Sequence, residues 1–328
     1  DGSNWLYFDR DGKMFKGLKN VSGQTFYFDL ITGARASGWV QDVTPGNDLY
    51  FNKKTGVLQR GFIRVERTKT DPTLVWFYIG ADLKLAKGWI QVGRTKYYFD
   101  PVTGEQARSD TSNPMLKVIG ADTYAFDKNG FMLLGFQRIS GKLHYFNSQG
   151  VMLKGKQTIG NATYLFSIDG ERLVGWQKVD DEKLYFDTNT GALRVGLFTL
   201  RDTVNNRNHT YYVNPVSKKL ATGWVKIGTA WYFFNPSAAE EAVYDPQATI
   251  TSDAAMASAY YGSMLTSIQT IKDADGNEVE YRFNQNGAVQ LGWQTIGGKT
   301  YYFNADLSRC NNTENIGGQS YYFKDFVL

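Results

Sequence analysis

The feature that most constrains the fold is a short aromatic block that recurs along the chain and is usually followed by Asp or Asn. Fourteen such blocks end at positions 8, 28, 51, 79, 99, 126, 146, 166, 186, 213, 234, 283, 303 and 323, and seven of the steps between them are 20 residues long. A generic globular sequence has no such period. The chain is therefore predicted to be an array of similar supersecondary units.

A second sequence pattern recurs at a nearly constant distance from the aromatic blocks. Roughly ten residues after most blocks a glycine precedes a large residue, and a turn sequence lies between block and glycine. In one unit, residues 292–296 predict a strand, Gly297 and Gly298 permit the turn of a two-residue hairpin, and residues 300–303 predict the returning strand. A lone hairpin is marginal in water, so we expect consecutive hairpins to stack. The predicted fold is all-β, a solenoid of about 14 hairpins of ~20 residues each.

One step of 49 residues breaks the period, and residues 236–279 lack an aromatic block. Within this stretch, residues 252–265 read as a short helix with Ser252 as the N-cap. We therefore predict a hairpin solenoid over 1–235, an irregular insertion or degenerate repeat over 236–279, and C-terminal hairpin repeats over 280–328.

Composition narrows the class of partner. A net charge of +4 over 328 residues gives no support for a nucleic-acid partner. No apolar run approaches the roughly 20 residues that a membrane-spanning helix needs. The single cysteine, Cys310, excludes an intramolecular disulfide, and a start at Asp1 without Met is read as a mature or excised fragment.

Residues 292–304 and 88–100 resemble the cell-wall-binding repeat superfamily. That superfamily includes choline-binding modules, glucan-binding repeats of glucansucrases and the C-terminal repeats of large clostridial toxins. The resemblance implies a β-solenoid, ligand sites between neighbouring hairpins, and a secreted protein at the surface or wall of a Gram-positive cell.

The branches of this superfamily differ at the first position of the aromatic block. The choline-binding pattern has Trp there, because several aromatic rings form a cage around a quaternary ammonium. Here only Trp5, Trp76 and Trp231 occupy that position, and the unit from Gly223 to Phe234 is nearest to the choline pattern. Other blocks begin with residues such as Thr or Lys, which resembles the branches that bind glycans.

Aromatic residues with polar neighbours suit a sugar. A pyranose ring offers C–H groups to a flat side chain and a rim of hydroxyls to polar groups. We therefore predict a non-catalytic module, such as an adhesin, that binds carbohydrate (an α-glucan, a host glycan or a wall polysaccharide) at several weak sites strengthened by multivalency. The candidate ligand-binding residues are Trp39, Trp89, Trp176, Trp224, Trp231, Trp293, Tyr98, Tyr185, Tyr302, Gln91, Gln177 and Gln294.

No motif indicates catalysis, a metal site or a cofactor, and His144 and His209 are too far apart in sequence to suggest a catalytic pair. The chain is compatible with the C-terminal part of a larger enzyme or toxin. Two alternatives stay open: a choline-type anchor to teichoic acid, and a spacer or protein-docking scaffold.

Overall fold

The repeats form antiparallel hairpins of two short strands. The structure, a computed structural model, describes residues 5–44, 47–203, 206–236, 260–273 and 276–328. In a typical hairpin, Gly292 lies opposite Phe303 and Trp293 lies opposite Tyr302. The large residue after each glycine therefore faces the central residue of the following block, which confirms the predicted all-β hairpin repeats.

The chain divides into two compact units, Asp1–Gln157 with Phe166–Arg172, and Thr158–Leu165 with Leu173–Leu328. The first unit contains the hairpins β1 (Gly17–Val21) and β2 (Gln24–Phe28), β3 (Gly38–Thr44) and β4 (Asn47–Phe51), β5 (Gly61–Glu66) and β6 (Leu74–Ile79), β7 (Gly88–Val92) and β8 (Thr95–Phe99), β9 (Met115–Ile119) and β10 (Asp122–Phe126), and β11 (Gly135–Ile139) and β12 (Lys142–Phe146). The division falls among β13 (Gly155–Ile159), β14 (Ala162–Phe166) and β15 (Arg172–Leu173). The second unit contains the hairpins β16 (Gly175–Val179) and β17 (Glu182–Phe186), β18 (Gly196–Asp202) and β19 (Arg207–Val213), β20 (Gly223–Ile227) and β21 (Ala230–Phe234), β22 (Ser267–Lys272) and β23 (Glu278–Phe283), β24 (Gly292–Ile296) and β25 (Lys299–Phe303), and β26 (Asn312–Ile316) and β27 (Gln319–Phe323).

The Asp or Asn that follows most blocks organises the connector that leads to the next hairpin. Asp29 Oδ1, for example, accepts the backbone N–H groups of Ile31 (2.9 Å) and Thr32 (2.7 Å). These hydrogen bonds, the one from the Thr32 backbone first, hold the pKa of Asp29 below its ordinary value. The recurring carboxylates and amides therefore start turns.

Backbone hydrogen bonds join consecutive hairpins within each unit. After the connector turn that follows one hairpin, a backbone N–H donates to the carbonyl at the start of the block in the hairpin before that one. In the first unit Met152 donates to Thr123 (2.8 Å), and in the second Val289 donates to Trp231 (2.9 Å). This bond sets the spacing of neighbouring hairpins, and their aromatic side chains meet between them.

The last residue of most blocks lies in the core, although Phe8 of the first block is 52% exposed. Gly150 shows how tightly the connectors cover it: its φ is +85°, and a Cβ there would lie 2.4 Å from the sulfur of Met132. Only glycine fits that close approach without displacing Met132. Fully buried block phenylalanines include Phe51, Phe99, Phe126, Phe146, Phe186, Phe234 and Phe323.

The irregular segment interrupts the connector turn that follows β21. The N–H of Asn235 donates to Ser263 O (2.8 Å), and the N–H of Gly262 donates to Asn235 O (2.9 Å). Asn284, Gly287 and Ala288 make the same pair of bonds in an uninterrupted connector. The turn thus has its usual hydrogen bonds although residues 236–259 are inserted within it.

The predicted helix over residues 252–265 lies mostly outside the described residues. The described part, from residue 260, is a turn followed by the isolated bridges of Ser263 and Met264, so no helix is present there. Strand β22 then pairs with β23. The predicted segment 236–279 therefore includes most of an ordinary hairpin, and its boundaries stay a prediction.

Candidate functional site: aromatic clefts between hairpins

Each tryptophan after a glycine packs first within its own hairpin. Trp89 and Tyr98 are cross-strand partners whose rings meet edge-to-face at 5.1 Å, and Trp293 and Tyr302 do the same at 5.0 Å. Such pairs stabilise the hairpin and fix the orientation of the indole.

The same tryptophans also reach the next hairpin. Trp89 meets Tyr124 at 4.8 Å, and Trp293 meets Tyr321 at 4.8 Å, both nearly edge-on. Each indole therefore forms part of a cleft between two consecutive hairpins. Equivalent contacts join Trp39 to Phe77, Trp176 to Tyr211, and Trp224 to Tyr281.

The cleft at Trp89 has both aromatic and polar walls. Its volume is about 450 Å³, within the range of small-molecule sites. Trp89 is 39% exposed and lies beside Tyr124. The lining residues are Trp89, Ile90, Gln91, Lys96, Tyr124, Met132 and Gln149.

Strand alternation explains why Gln91 lies in this cleft. Gln91 is two residues after Trp89, so both side chains project from the same face of β7. Its cross-strand partner is Lys96, which adds a cation to the rim. Gln149 comes from a connector turn, where the side chain of Asn147 accepts its backbone N–H (3.0 Å).

Gln177 and Gln294 occupy a different register from Gln91. Each directly follows its tryptophan and therefore projects from the opposite face of the strand. The Gln177 amide donates to Val174 O (2.8 Å), and the Gln294 amide donates to Leu291 O (3.2 Å). In contrast to the prediction, the structure does not bring these two glutamines together with the tryptophans.

Trp39 also departs from the prediction, because it is buried. Its side chain is 7% exposed, and its indole N–H donates to Glu66 O at 2.7 Å. The Glu66 carboxylate in turn accepts a hydrogen bond from the Tyr50 hydroxyl (3.0 Å) and pairs with Lys53 (2.8 Å). Trp39 is thus a core residue tied to a polar network.

Protonation in this network follows from burial and hydrogen bonding. Burial alone would raise the pKa of Glu66, but hydrogen bonds from Lys53, the backbone and Tyr50 keep that pKa below its ordinary value. Burial first, and then the bond to Glu66, raise the pKa of Tyr50 to about 12. At neutral pH the carboxylate is charged and the phenol is protonated.

A lysine covers the face of Trp176. The Lys183 ammonium lies 4.9 Å from the centroid of the indole. Burial lowers the pKa of Lys183 below its ordinary value. The chain's own cation thus takes the cation–π position at this cleft.

Cationic side chains also lie over tryptophans at the first block position. The Arg35 guanidinium lies 5.3 Å from the Trp5 ring, and that of Arg108 lies 4.8 Å from Trp76. This is the position where a choline cage requires free aromatic faces.

Trp224 and Trp231 form the unit nearest to the choline pattern. Trp224 contacts Phe233 at 5.0 Å and Tyr281 at 4.9 Å. Trp231 donates its indole N–H to Ala305 O (3.1 Å), and the Lys226 ammonium lies 5.7 Å from its ring. Both indoles are half-buried.

Trp293 lies between Tyr302 of its own hairpin and Tyr321 of the next. It is 40% exposed, and Thr295 and Thr300 are the cross-strand pair on its face. Of the predicted tyrosines, Tyr98 is buried, whereas Tyr185 and Tyr302 are half-buried against their tryptophans.

Sequence reasoning missed Lys96, Tyr124 and Gln149 as lining residues. Two of them had a usable signal. Lys96 holds the first block position, where the choline pattern has Trp, and Tyr124 holds the central position of the next block. Gln149 lies in a variable turn and gave no signal.

Among the described residues, no cluster of three or more His, Cys, Asp or Glu side chains is arranged to hold a metal ion. Within that part of the chain no helix has the length and apolar character to cross a membrane. Cys310 is buried, and burial raises the pKa of its thiol.

Two family models match parts of the chain. The choline-binding repeat matches residues 153–198, and the cell wall binding repeat matches residues 87–101, 135–152, 222–237 and 292–306. The matched segments include the hairpins of Trp89, Trp176, Trp224 and Trp293.

Curated relatives include Glucosyltransferase-S of Streptococcus mutans, which is 30% identical over an aligned length of 171 residues, and the alignment covers 47% of this chain and 11% of the relative. Glucosyltransferase-I of Streptococcus downei is 26% identical over an aligned length of 423 residues, and the alignment covers 93% of this chain and 24% of the relative. The chain thus spans at most about a quarter of the length of these relatives.

Solved structures of similar fold include CbpJ of Streptococcus pneumoniae, with a TM-score of 0.54 and 19% identity, covering 88% of this chain and 98% of CbpJ. CbpF in complex with ipratropium has a TM-score of 0.50 and 21% identity, covering 88% of this chain and 97% of CbpF. These likenesses support the hairpin-repeat fold.

Proposed function

Because the chain belongs to the cell-wall-binding repeat superfamily, we propose that it is a non-catalytic module that binds carbohydrate in aromatic clefts between hairpins, at a bacterial cell surface. The ligand is a glycan such as an α-glucan, a host glycan or a wall polysaccharide. Similarity to proteins named glucosyltransferases favours the α-glucan among these.

The Trp89 cleft is the observation that carries this proposal. An indole that is 39% exposed can accept the C–H face of a pyranose ring. Gln91, Lys96 and Gln149 line the same cleft and offer donors and acceptors to hydroxyl groups. Burial first, and then the charge and hydrogen bond of Asp122, raise the pKa of Tyr124, whose ring forms an aromatic wall of the cleft.

Lysine placement favours a sugar over choline at these clefts. A quaternary ammonium binds by cation–π attraction to aromatic faces that no other cation covers. At the Trp89 cleft Lys96 adds positive charge, and at Trp176 the Lys183 ammonium already lies over the indole. Sugar hydroxyls tolerate a nearby ammonium because it donates hydrogen bonds to them.

A choline-type anchor is the second candidate, and it rests on one hairpin. Trp224 and Trp231 pack against a hydrophobic cluster that includes Tyr281, and Trp and Tyr are the residue types that form a choline cage. Lys226 lies over Trp231 and opposes a second cation there.

Substitutions at the Trp89 cleft test the proposed function. We expect Trp89→Ala to weaken binding of a soluble α-glucan oligosaccharide about tenfold, because roughly 60 Å² of apolar contact is worth about 1.5 kcal/mol. Val102→Ala is the matched control, since Val102 is an apolar side chain that is 81% exposed in a nearby connector. Isothermal titration calorimetry measures both, with a galactose-terminated oligosaccharide as a second ligand.

Substitutions of Lys96 distinguish sugar from choline as the ligand of this cleft. Lys96→Gln keeps hydrogen-bonding groups and should retain sugar binding, whereas Lys96→Trp adds the aromatic wall of the choline pattern and should introduce choline binding. Unchanged sugar binding by Trp89→Ala would reject the Trp89 cleft. Absence of sugar binding by the unaltered chain would favour a protein-docking scaffold.

A further inference from the structure

A second pocket, unlike the aromatic clefts, lies in the second unit. It is formed by the long hairpin β18–β19 and by the chain from Tyr260 to Gln269, and its volume is about 690 Å³. Each strand of this hairpin has seven residues instead of the usual five, so it extends beyond its neighbours. The lining residues are Thr199, Arg207, Asn208, His209, Thr210, Asn235, Tyr260, Ser263, Met264, Leu265, Thr266, Gln269 and Gln285.

One wall of this pocket is held rigidly. The rings of His209 and Tyr260 stack at 3.8 Å with an angle of 15° between their planes. The Tyr260 hydroxyl donates to the buried carboxylate of Asp202 at 2.7 Å. The residues at the end of the insertion are thereby fastened to the far end of the long hairpin.

Among the described lining residues, no Tyr, Trp or Phe offers an exposed face to a sugar ring. Tyr260 is 9% exposed, and its ring is covered on one side by His209. The stacking that we propose at Trp89 has no counterpart here. A ligand must therefore be recognised mainly by hydrogen bonds and charge.

The polar lining is rich in groups that both donate and accept. Amide side chains and hydroxyls line most of the pocket; the Thr199 and Thr210 hydroxyls, for example, share a hydrogen bond at 2.8 Å. Burial lowers the pKa of His209, so its imidazole is neutral at pH 7. Arg207 is then the one charged side chain among the described lining residues.

We propose that this pocket binds an anionic polyol, meaning a sugar or sugar alcohol that carries a phosphate or carboxylate group. The amides and hydroxyls bind its hydroxyl groups, and the exposed Arg207 guanidinium pairs with its anionic group. This site is independent of the aromatic clefts and does not rest on the proposed function.

The two histidines of the chain allow a specific test. His209 lines the pocket, whereas His144 is buried in the other unit and serves as an internal control. Imidazole resonances of the full chain are followed by NMR during titration with glycerol 3-phosphate, glucuronate, glucose or inorganic phosphate. We expect at least one of the two anionic polyols to shift the His209 resonances and leave those of His144 in place, and which of them does so identifies the anionic group.

Substitution of Arg207 completes the test. Arg207 is exposed, so Arg207→Gln should fold normally and weaken the anionic polyol about tenfold, since a charge-assisted hydrogen bond is lost. Trp89→Ala should bind the polyol as the unaltered chain does, which separates this site from the Trp89 cleft. The proposal is wrong if neither anionic polyol shifts His209, if glucose or inorganic phosphate binds equally well, or if Arg207→Gln has no effect.

Discussion

Replacing Phe126 with alanine is expected to lower the free energy of unfolding by about 3–5 kcal/mol, the usual loss for a buried aromatic residue. Phe126 is fully buried, and it packs with Tyr98 and Ala107 of the preceding hairpin. The cavity left by alanine would lie between two hairpins, where the stacking contacts are made. Urea unfolding followed by circular dichroism measures the loss.

Phe131→Ala is the control for that substitution. Phe131 is five residues further along, is 41% exposed and meets Tyr97 edge-to-face at 5.7 Å. It should lose roughly 1 kcal/mol or less, because little of its apolar area is buried. Equal losses for the two variants would contradict the assignment of the last block residue to the core.

Two tryptophans at the same repeat position are expected to respond differently to truncation. Trp39→Ala should lower the free energy of unfolding by about 3–5 kcal/mol. This indole is buried, packs against Tyr50 and Phe77, and donates a hydrogen bond to Glu66 O. Its loss also removes the donor that Glu66 O accepts, which adds to the cost of the cavity.

Trp293→Ala should instead lower the free energy of unfolding by roughly 1–2 kcal/mol and lose glycan affinity. Its indole is 40% exposed in a cleft with Tyr321. Urea unfolding and calorimetry with the same oligosaccharide are measured on both variants, and circular dichroism checks that strand content is kept. A larger stability loss for Trp293→Ala than for Trp39→Ala would contradict the division of these residues between core and cleft.

The hairpin repeat could be predicted because local and long-range signals agree. Gly292 and Trp293 open a strand, Gly297 and Gly298 allow the turn, and Phe303 closes the pair, all within one period. The same period sets which residue faces which across the hairpin. Periodic sequence therefore determines this part of the fold almost completely.

The repeat period could not predict whether each tryptophan is buried, covered by a lysine or exposed. Trp39 and Trp293 have the same local sequence context, but contacts from Glu66 and Phe77 bury only the first. The lysines over Trp176 and Trp231 are likewise set by side-chain packing. Motif spacing does not contain this information.

Register explains the remaining error at the glutamines. Gln177 follows its tryptophan by one residue and Gln91 by two, a difference that places them on opposite faces of their strands. Alternation along the strand was sufficient to separate them. The pocket at His209 could not be predicted, because Tyr260, which lines it, is separated from the hairpins in sequence by the inserted residues 236–259.

Binding of the intact chain to a glycan array, with and without millimolar choline, tests the central claim most directly. The array carries α-glucans, galactose-terminated host-type oligosaccharides, wall polysaccharides and phosphocholine-bearing teichoic acid. Our account predicts binding to a sugar class that choline does not displace. Binding confined to the phosphocholine spots and abolished by choline would contradict it, and so would a blank array.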